Sequence, residues 1–160
     1  MKKEYIDWGW FGQELSILKK QIIKDKFSPT VVVGIMRGGI IPAVMLSHQF
    51  DVPCKSVEWS LRDFGGKDYD KISSLICSSV SDNILFVEDI IDSGKTMLEV
   101  QTHVNDCLTN KYPNKDKYRP TVKYASMWFN TNQPTTVDYY ATAFDREVNK
   151  NWFVFPFEKQ

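Results

Sequence analysis

Residues 84–97 read ILFVEDIIDSGKTM. Four apolar residues lead to two adjacent carboxylates, Glu88 and Asp89. Two more apolar residues lead to Asp92-Ser93-Gly94-Lys95-Thr96. The apolar run predicts a buried strand over 84–89. A helix then starts near Ser93 or Gly94, with Met97, Val100, Val104 and Cys107 or Leu108 on one face. A helix start leaves backbone N–H groups without intrahelical partners, and its dipole adds partial positive charge. Gly94 lets the backbone approach an anion closely, and the Ser93 and Thr96 hydroxyls add donors. This is chemistry for a monophosphate. It is not a nucleotide-triphosphate loop, which would need glycine at position 89, where Asp89 stands. Two acids beside a phosphate repel it unless they face something else. Vicinal sugar hydroxyls or Mg²⁺ fit that role. Phosphate, diol and metal together describe a ribose 5-phosphate. The competing reading of the same residues is a plain helix cap after a solvated strand end.

A second stretch, VVVGIMRGGIIP (residues 31–42), repeats the arrangement. TVVVGIM (30–36) predicts a strand buried on both faces. Arg37-Gly38-Gly39 follows it, then a helix from about Ile41 to Phe50 with Pro42 in its first turn. In a parallel sheet both loops face one crevice at the carboxyl ends of the strands. Asp7 can cap a helix beginning near Trp8, with Phe11, Leu15, Leu18 and Ile22 on one stripe. VPCKSVEW (52–59) reads as another strand, and SLRDFGGKDYDK (60–71) as a polar mobile loop. Residues 72–83 fit neither a helix nor a strand pattern clearly. The first-described helix ends before Tyr112-Pro113. TVKYASMWF (121–129) and VDYYATAF (137–144) are further strands, and WFVFPFE (152–158) closes the chain. The order predicts one α/β domain over 1–160, a mainly parallel central sheet flanked by helices.

Composition narrows the partners. The 160 residues carry 20 basic and 20 acidic side chains, with no net charge. No global basic field is available for nucleic acid or an anionic membrane, so neither is an expected partner. No apolar run approaches the ~20 residues of a membrane span. The N-terminus is a poor signal peptide. Cys54, Cys77 and Cys107 are odd in number and widely spaced, which predicts reduced thiols in a cytoplasmic protein.

The thirteen-residue arrangement around VEDIIDSGKT resembles the phosphoribosyl pyrophosphate signature of the type I phosphoribosyltransferases, most closely their hypoxanthine-guanine members. RGG at 37–39 is similar to the pyrophosphate loop of xanthine-guanine enzymes. NWFVFPFE at 151–158 looks like the base-binding end of that branch. The resemblance spans nearly the whole chain and implies that fold, with a small hood built from the C-terminal segment. It implies purine salvage from phosphoribosyl pyrophosphate and a purine base, with Mg²⁺ as cofactor and a homodimer or homotetramer as assembly. It also implies roles. Ser93, Gly94, Lys95 and Thr96, with Asp92, would bind the 5-phosphate, and Arg37, Gly38 and Gly39 the pyrophosphate. Glu88 and Asp89 would hold ribose hydroxyls and Mg²⁺, and Asp92 would serve the base's imidazole nitrogen. Trp152 would stack on the base, Phe153 would read its edge, and Glu158 would lie near the purine and the metal-bound water. The loop at 60–71 matches the position of the family's catalytic lid. A non-proline cis peptide would fall at Met36–Arg37. The family usually has a lysine after the fourth strand for the purine 6-oxo group; Asn130 stands there instead, as a base-binding residue whose amide could donate to an oxo group or accept from an amino group. The identity of the base is therefore open. A regulatory or RNA-binding protein on the same fold, or a transferase for a non-purine base, are the alternatives.

Overall fold

The structure, a computed structural model, describes residues 2–59, 66–79, 82–114 and 117–158. Eleven elements occur in the described residues: β1 Lys3–Tyr5, α1 Trp8–Lys24, β2 Val31–Met36, α2 Ile40–Phe50, β3 Cys54–Glu58, α3 Tyr69–Ser78, β4 Asn83–Ile91, α4 Lys95–Lys111, β5 Thr121–Asn130, β6 Tyr139–Phe144 and β7 Trp152–Val154. Five strands form a wholly parallel sheet in the order β3-β2-β4-β5-β6.

Strand alternation divides the apolar residues between two cores. Val32, Leu85 and Val87 face α1 and α2, where they meet Phe11, Leu15, Leu18, Ala43 and Leu46. Val31, Val33, Ile35, Ile84 and Phe86 face α3 and α4, where they meet Ile72, Ile76, Met97, Val100 and Val104. Central strands covered on both faces need unbroken apolar sequence, as VVVGIM and ILFV supply. All four predicted stripe residues of α1 are buried, and the Asp7 carboxylate accepts from Trp10 N–H at 2.7 Å.

Three expectations change. The unassigned stretch after residue 71 is mostly helix: α3 runs from Tyr69 and buries Ile72, Leu75 and Ile76. Ile72, Leu75 and Ile76 stand at i, i+3 and i+4, the spacing of one helix face, so the helical signal was present among the serines. The predicted polar loop is shorter than 60–71, because Lys67 bridges antiparallel to Trp59 and Tyr69 already belongs to α3. Residues 60–65 of that loop lie outside the described residues. The hood also uses both ends of the chain. β1 pairs in parallel with β7, Lys3 opposite Trp152 and Tyr5 opposite Val154.

Candidate active site

The strand order fixes where a ligand can sit. From β2 the chain moves outward to β3, then returns past β2 to place β4 on its other side. The crevice of such a sheet opens at this reversal, beyond the carboxyl ends of β2 and β4. The register shows it opening. β2 pairs with β4 only as far as Gly34 opposite Val87. Ile35 and Met36 pair with β3 alone, while β4 continues along β5 to Ile91 opposite Phe129. Glu88 and Asp89 are thus not at the end of their strand, as the sequence suggested. They sit on the stretch of β4 that β2 has left.

Two loops meet over this gap. The peptide between Met36 and Arg37 is cis, and α2 begins at Ile40 after Gly39. A Cβ placed on Gly38 would fall on the Asp89 carboxylate. Only glycine lets the Arg37–Gly39 loop lie against the acid pair. Arg37 is exposed at the mouth of the crevice.

The acids are electrostatically costly in the ligand-free protein. Glu88 is 9% exposed, its Oε1 accepting from the Asp89 N–H at 3.2 Å. Asp89 Oδ1 accepts from Ile90 N–H at 2.8 Å. Burial, and next the charge of Asp89, push Glu88 well above the usual carboxylate range. Burial also raises Asp89, and the Glu158 charge adds to it, which puts Glu158 within electrostatic reach of the pair. A native carboxyl that holds its proton more tightly than the unfolded one contributes stability below the ordinary glutamate range. That contribution is lost as pH rises through the raised value. We expect the melting temperature of ligand-free protein to fall on this account as pH rises above the ordinary glutamate range, and Glu88→Gln to flatten the fall. Thermal melts across that rise check it; parallel wild-type and variant curves would contradict it.

At the end of β4, Gly94 turns the chain with φ 73°, and no side chain caps α4. The first N–H groups of α4 therefore point into the crevice without intrahelical acceptors. Ser93 is exposed and Thr96 half-buried there. The loop after β5 backs this turn. A Cβ at Gly94 would strike Gln133 Oε1, and that oxygen also accepts from Thr135 N–H at 2.7 Å. Gly94→Ala is expected to destabilise the protein by roughly 1–3 kcal/mol through the left-handed φ alone and to weaken ribose 5-phosphate binding. Melting and a ribose 5-phosphate titration check both effects.

The base-side residues gather next to that loop. Asp92 is partly buried and Asn130 buried. The Asn130 amide is committed to the backbone. Nδ2 donates to the Asp92 carbonyl at 2.9 Å, and Oδ1 accepts from the N–H groups of Asn132 and Arg146, each at 3.2 Å. Trp152 is 43% exposed whereas Phe153 and Phe155 are buried, so the tryptophan ring is accessible rather than a core residue. Glu158 Oε2 accepts from Phe155 N–H at 3.0 Å. Lys123 lies toward the opposite, amino end of β5, where it is paired with Asp25 at 2.5 Å.

Sequence reasoning missed Arg146. It follows β6 and pairs with Asp92 through two contacts of 2.9 Å. The signal was available: a cation just beyond the carboxyl end of a strand is the criterion that selected Arg37. It also missed Gln133, for which polar loop sequence offers no signal.

Known proteins share this fold. The family model described as phosphoribosyl transferase domain matches residues 2–160. The xanthine-guanine phosphoribosyltransferase of Cereibacter sphaeroides is 26% identical over 133 residues, covering 79% of this chain and 68% of that protein. The purine phosphoribosyltransferase of Pyrococcus horikoshii superposes with a TM-score of 0.73 at 23% identity, over 100% of this chain and 97% of its own. The xanthine-guanine-hypoxanthine phosphoribosyltransferase of Helicobacter pylori gives 0.64 at 20% identity, over 96% of this chain and 91% of its own. With a switch-point crevice lined by acids, helix amides and an Arg-Gly-Gly loop, and a family match from residue 2 to residue 160, the chain belongs to the phosphoribosyl transferase domain family.

Proposed function

We propose that the protein transfers the 5-phosphoribosyl group of phosphoribosyl pyrophosphate to a ring nitrogen of guanine, xanthine or hypoxanthine. The products are a nucleoside monophosphate and pyrophosphate, as purine salvage requires. The names of the relatives above support this choice of base. The observation that carries the reading is one crevice holding the Glu88–Asp89 pair, the uncapped start of α4 and the Arg37–Gly39 loop in direct contact.

In the reaction the amides of 93–96 hold the 5-phosphate. Glu88 and Asp89 hold the ribose hydroxyls and favour the positive charge that grows on the ring as the C1–O bond loosens. Arg37 and the amides of Gly38 and Gly39 take the charge of the departing pyrophosphate. Asp92 accepts a hydrogen bond or proton from the base's imidazole edge. Trp152 stacks on the base. With Asn130 holding the chain at Asp92, the base edge falls to the main chain of Phe153. Fixed placement of these groups supplies most of the acceleration.

Among the described residues no three or more of His, Cys, Asp and Glu gather as a metal cluster. A pair of carboxylates suits Mg²⁺, which commonly takes one or two and completes its shell with water and substrate phosphates. Bound at Glu88 and Asp89, partly through water or ribose hydroxyls, Mg²⁺ would supply charge neutralisation to the donor. Three free cysteines fit a reducing cytoplasm. Among the described residues no helix is long and apolar enough to cross a membrane. A homodimer or homotetramer is the assembly to seek by sedimentation.

The test is a screen of adenine, guanine, hypoxanthine, xanthine, uracil and orotate with donor and Mg²⁺, detecting pyrophosphate. Release with a 6-oxopurine supports the reading. Release only with uracil or orotate would favour a non-purine transferase, the reading that the lack of an ammonium group at position 130 keeps open. RNA binding without turnover would favour a regulatory protein.

A further inference from the structure

Arg146 spends its guanidinium on the protein itself. Nε donates to Asp92 Oδ1 and Nη2 to Asp92 Oδ2, both at 2.9 Å. Nη1 donates to the Asn151 carbonyl at 2.5 Å and to that of Asn149 at 3.3 Å. The group lies over the Phe144 ring at 4.8 Å and the Phe153 ring at 5.7 Å. One side chain therefore joins three places. They are the residue before the phosphate loop, the turn that delivers Trp152, and the aromatic floor beneath the hood. Asn130 adds a parallel link, since its amide bonds the Asp92 carbonyl and the Arg146 N–H.

We propose that Arg146 is a positioning residue for the base, one that fixes the distance between the Asp92 carboxylate and the Trp152 ring. The proposal rests on the purine transfer reading above. Its physical content is preorganisation. The Asp92 side chain is 41% exposed and would rotate freely in water without a partner. Two parallel N–H donors on one rigid plane hold both its oxygens and fix its orientation. The opposite edge of the same plane holds the 149–151 turn. A base that stacks on Trp152 then meets an acceptor already in place, and its binding does not have to order either group.

Lysine cannot do this. It keeps the charge but has no planar fork, so it cannot grip both carboxylate oxygens and two carbonyls on the opposite edge. A partly exposed ion pair contributes little to stability, so Arg146→Lys should stay within about 4 °C of the wild-type melting temperature.

The experiment is steady-state kinetics of wild type, Arg146→Lys, Asp92→Asn and the double variant, with each substrate varied in turn. We expect Arg146→Lys to lower kcat/KM for the base about 10- to 100-fold, the size of effect that misplacement of a reacting group produces. KM for phosphoribosyl pyrophosphate should change less than about twofold, because the amides of 93–96 and the Arg37 loop are intact. The double variant should lose less than the product of the two single losses, since both changes remove the Asp92–Arg146 coupling while only Arg146→Lys also releases the 149–151 turn. A structural role alone would move both substrates together, along with the melting temperature. Wild-type turnover with an unaltered Arg146→Lys, or equal losses for both substrates, overturns the proposal and leaves the function reading standing. Wild type with no turnover on any base brings down the function reading and this proposal with it.

Discussion

Asp89→Asn is expected to lower kcat/KM by about 10²- to 10³-fold, the loss that follows removal of one preorganised electrostatic group in an active site. The same variant should melt at or above the wild-type temperature. Asp89 keeps its backbone contact to Ile90 in the strand, and the amide is nearly isosteric with the acid. What it loses is charge that burial makes costly and that repels Glu88. Activity and stability should therefore move in opposite directions, which is expected where stability has been given up for function. Glu88→Gln should behave alike. Kinetics beside a thermal melt decide the matter. Both variants keeping full turnover would remove the pair from the mechanism. Lost activity with a collapsed melt would make them structural.

Arg37→Ala is expected to weaken pyrophosphate binding about 10- to 100-fold, since a hydrogen bond to a charged group contributes roughly 1.5–3 kcal/mol. Ribose 5-phosphate should bind as before, because the site proposed for its phosphate is the start of α4 and not the Arg37 loop. Arg37→Lys should restore part of the affinity, as a point charge without the fork. Isothermal titration with each ligand separates the two halves of the donor. Equal pyrophosphate affinity in wild type and Arg37→Ala would contradict the assignment.

The parts of the site legible in the sequence were those whose chemistry is local. A buried strand, a carboxylate pair and a glycine-led helix start lie within fourteen consecutive residues, and each follows from residue type and near neighbours. The same holds for the Arg37–Gly39 loop. The long-range parts were not legible. Asp92 and Arg146 are 54 positions apart, and nothing in either segment names the other. The placement of Glu88 and Asp89 beside the crevice depends on where β2 stops pairing, which is a property of the register and not of ILFVED. Asn130 was read by analogy as a base ligand. The structure shows its amide tied to Asp92, Asn132 and Arg146, a role fixed by tertiary contacts. α3 differs: Ile72, Leu75 and Ile76 already carry the spacing of a helix face, so its signal was local and was overlooked among the serines.

A crystal structure with a bound nucleoside monophosphate addresses the core of this account. It predicts the 5-phosphate on the N–H groups of Ser93 to Thr96, with the ribose hydroxyls turned toward Glu88 and Asp89. A phosphate seated elsewhere, or a ribose facing away from the two acids, would contradict it.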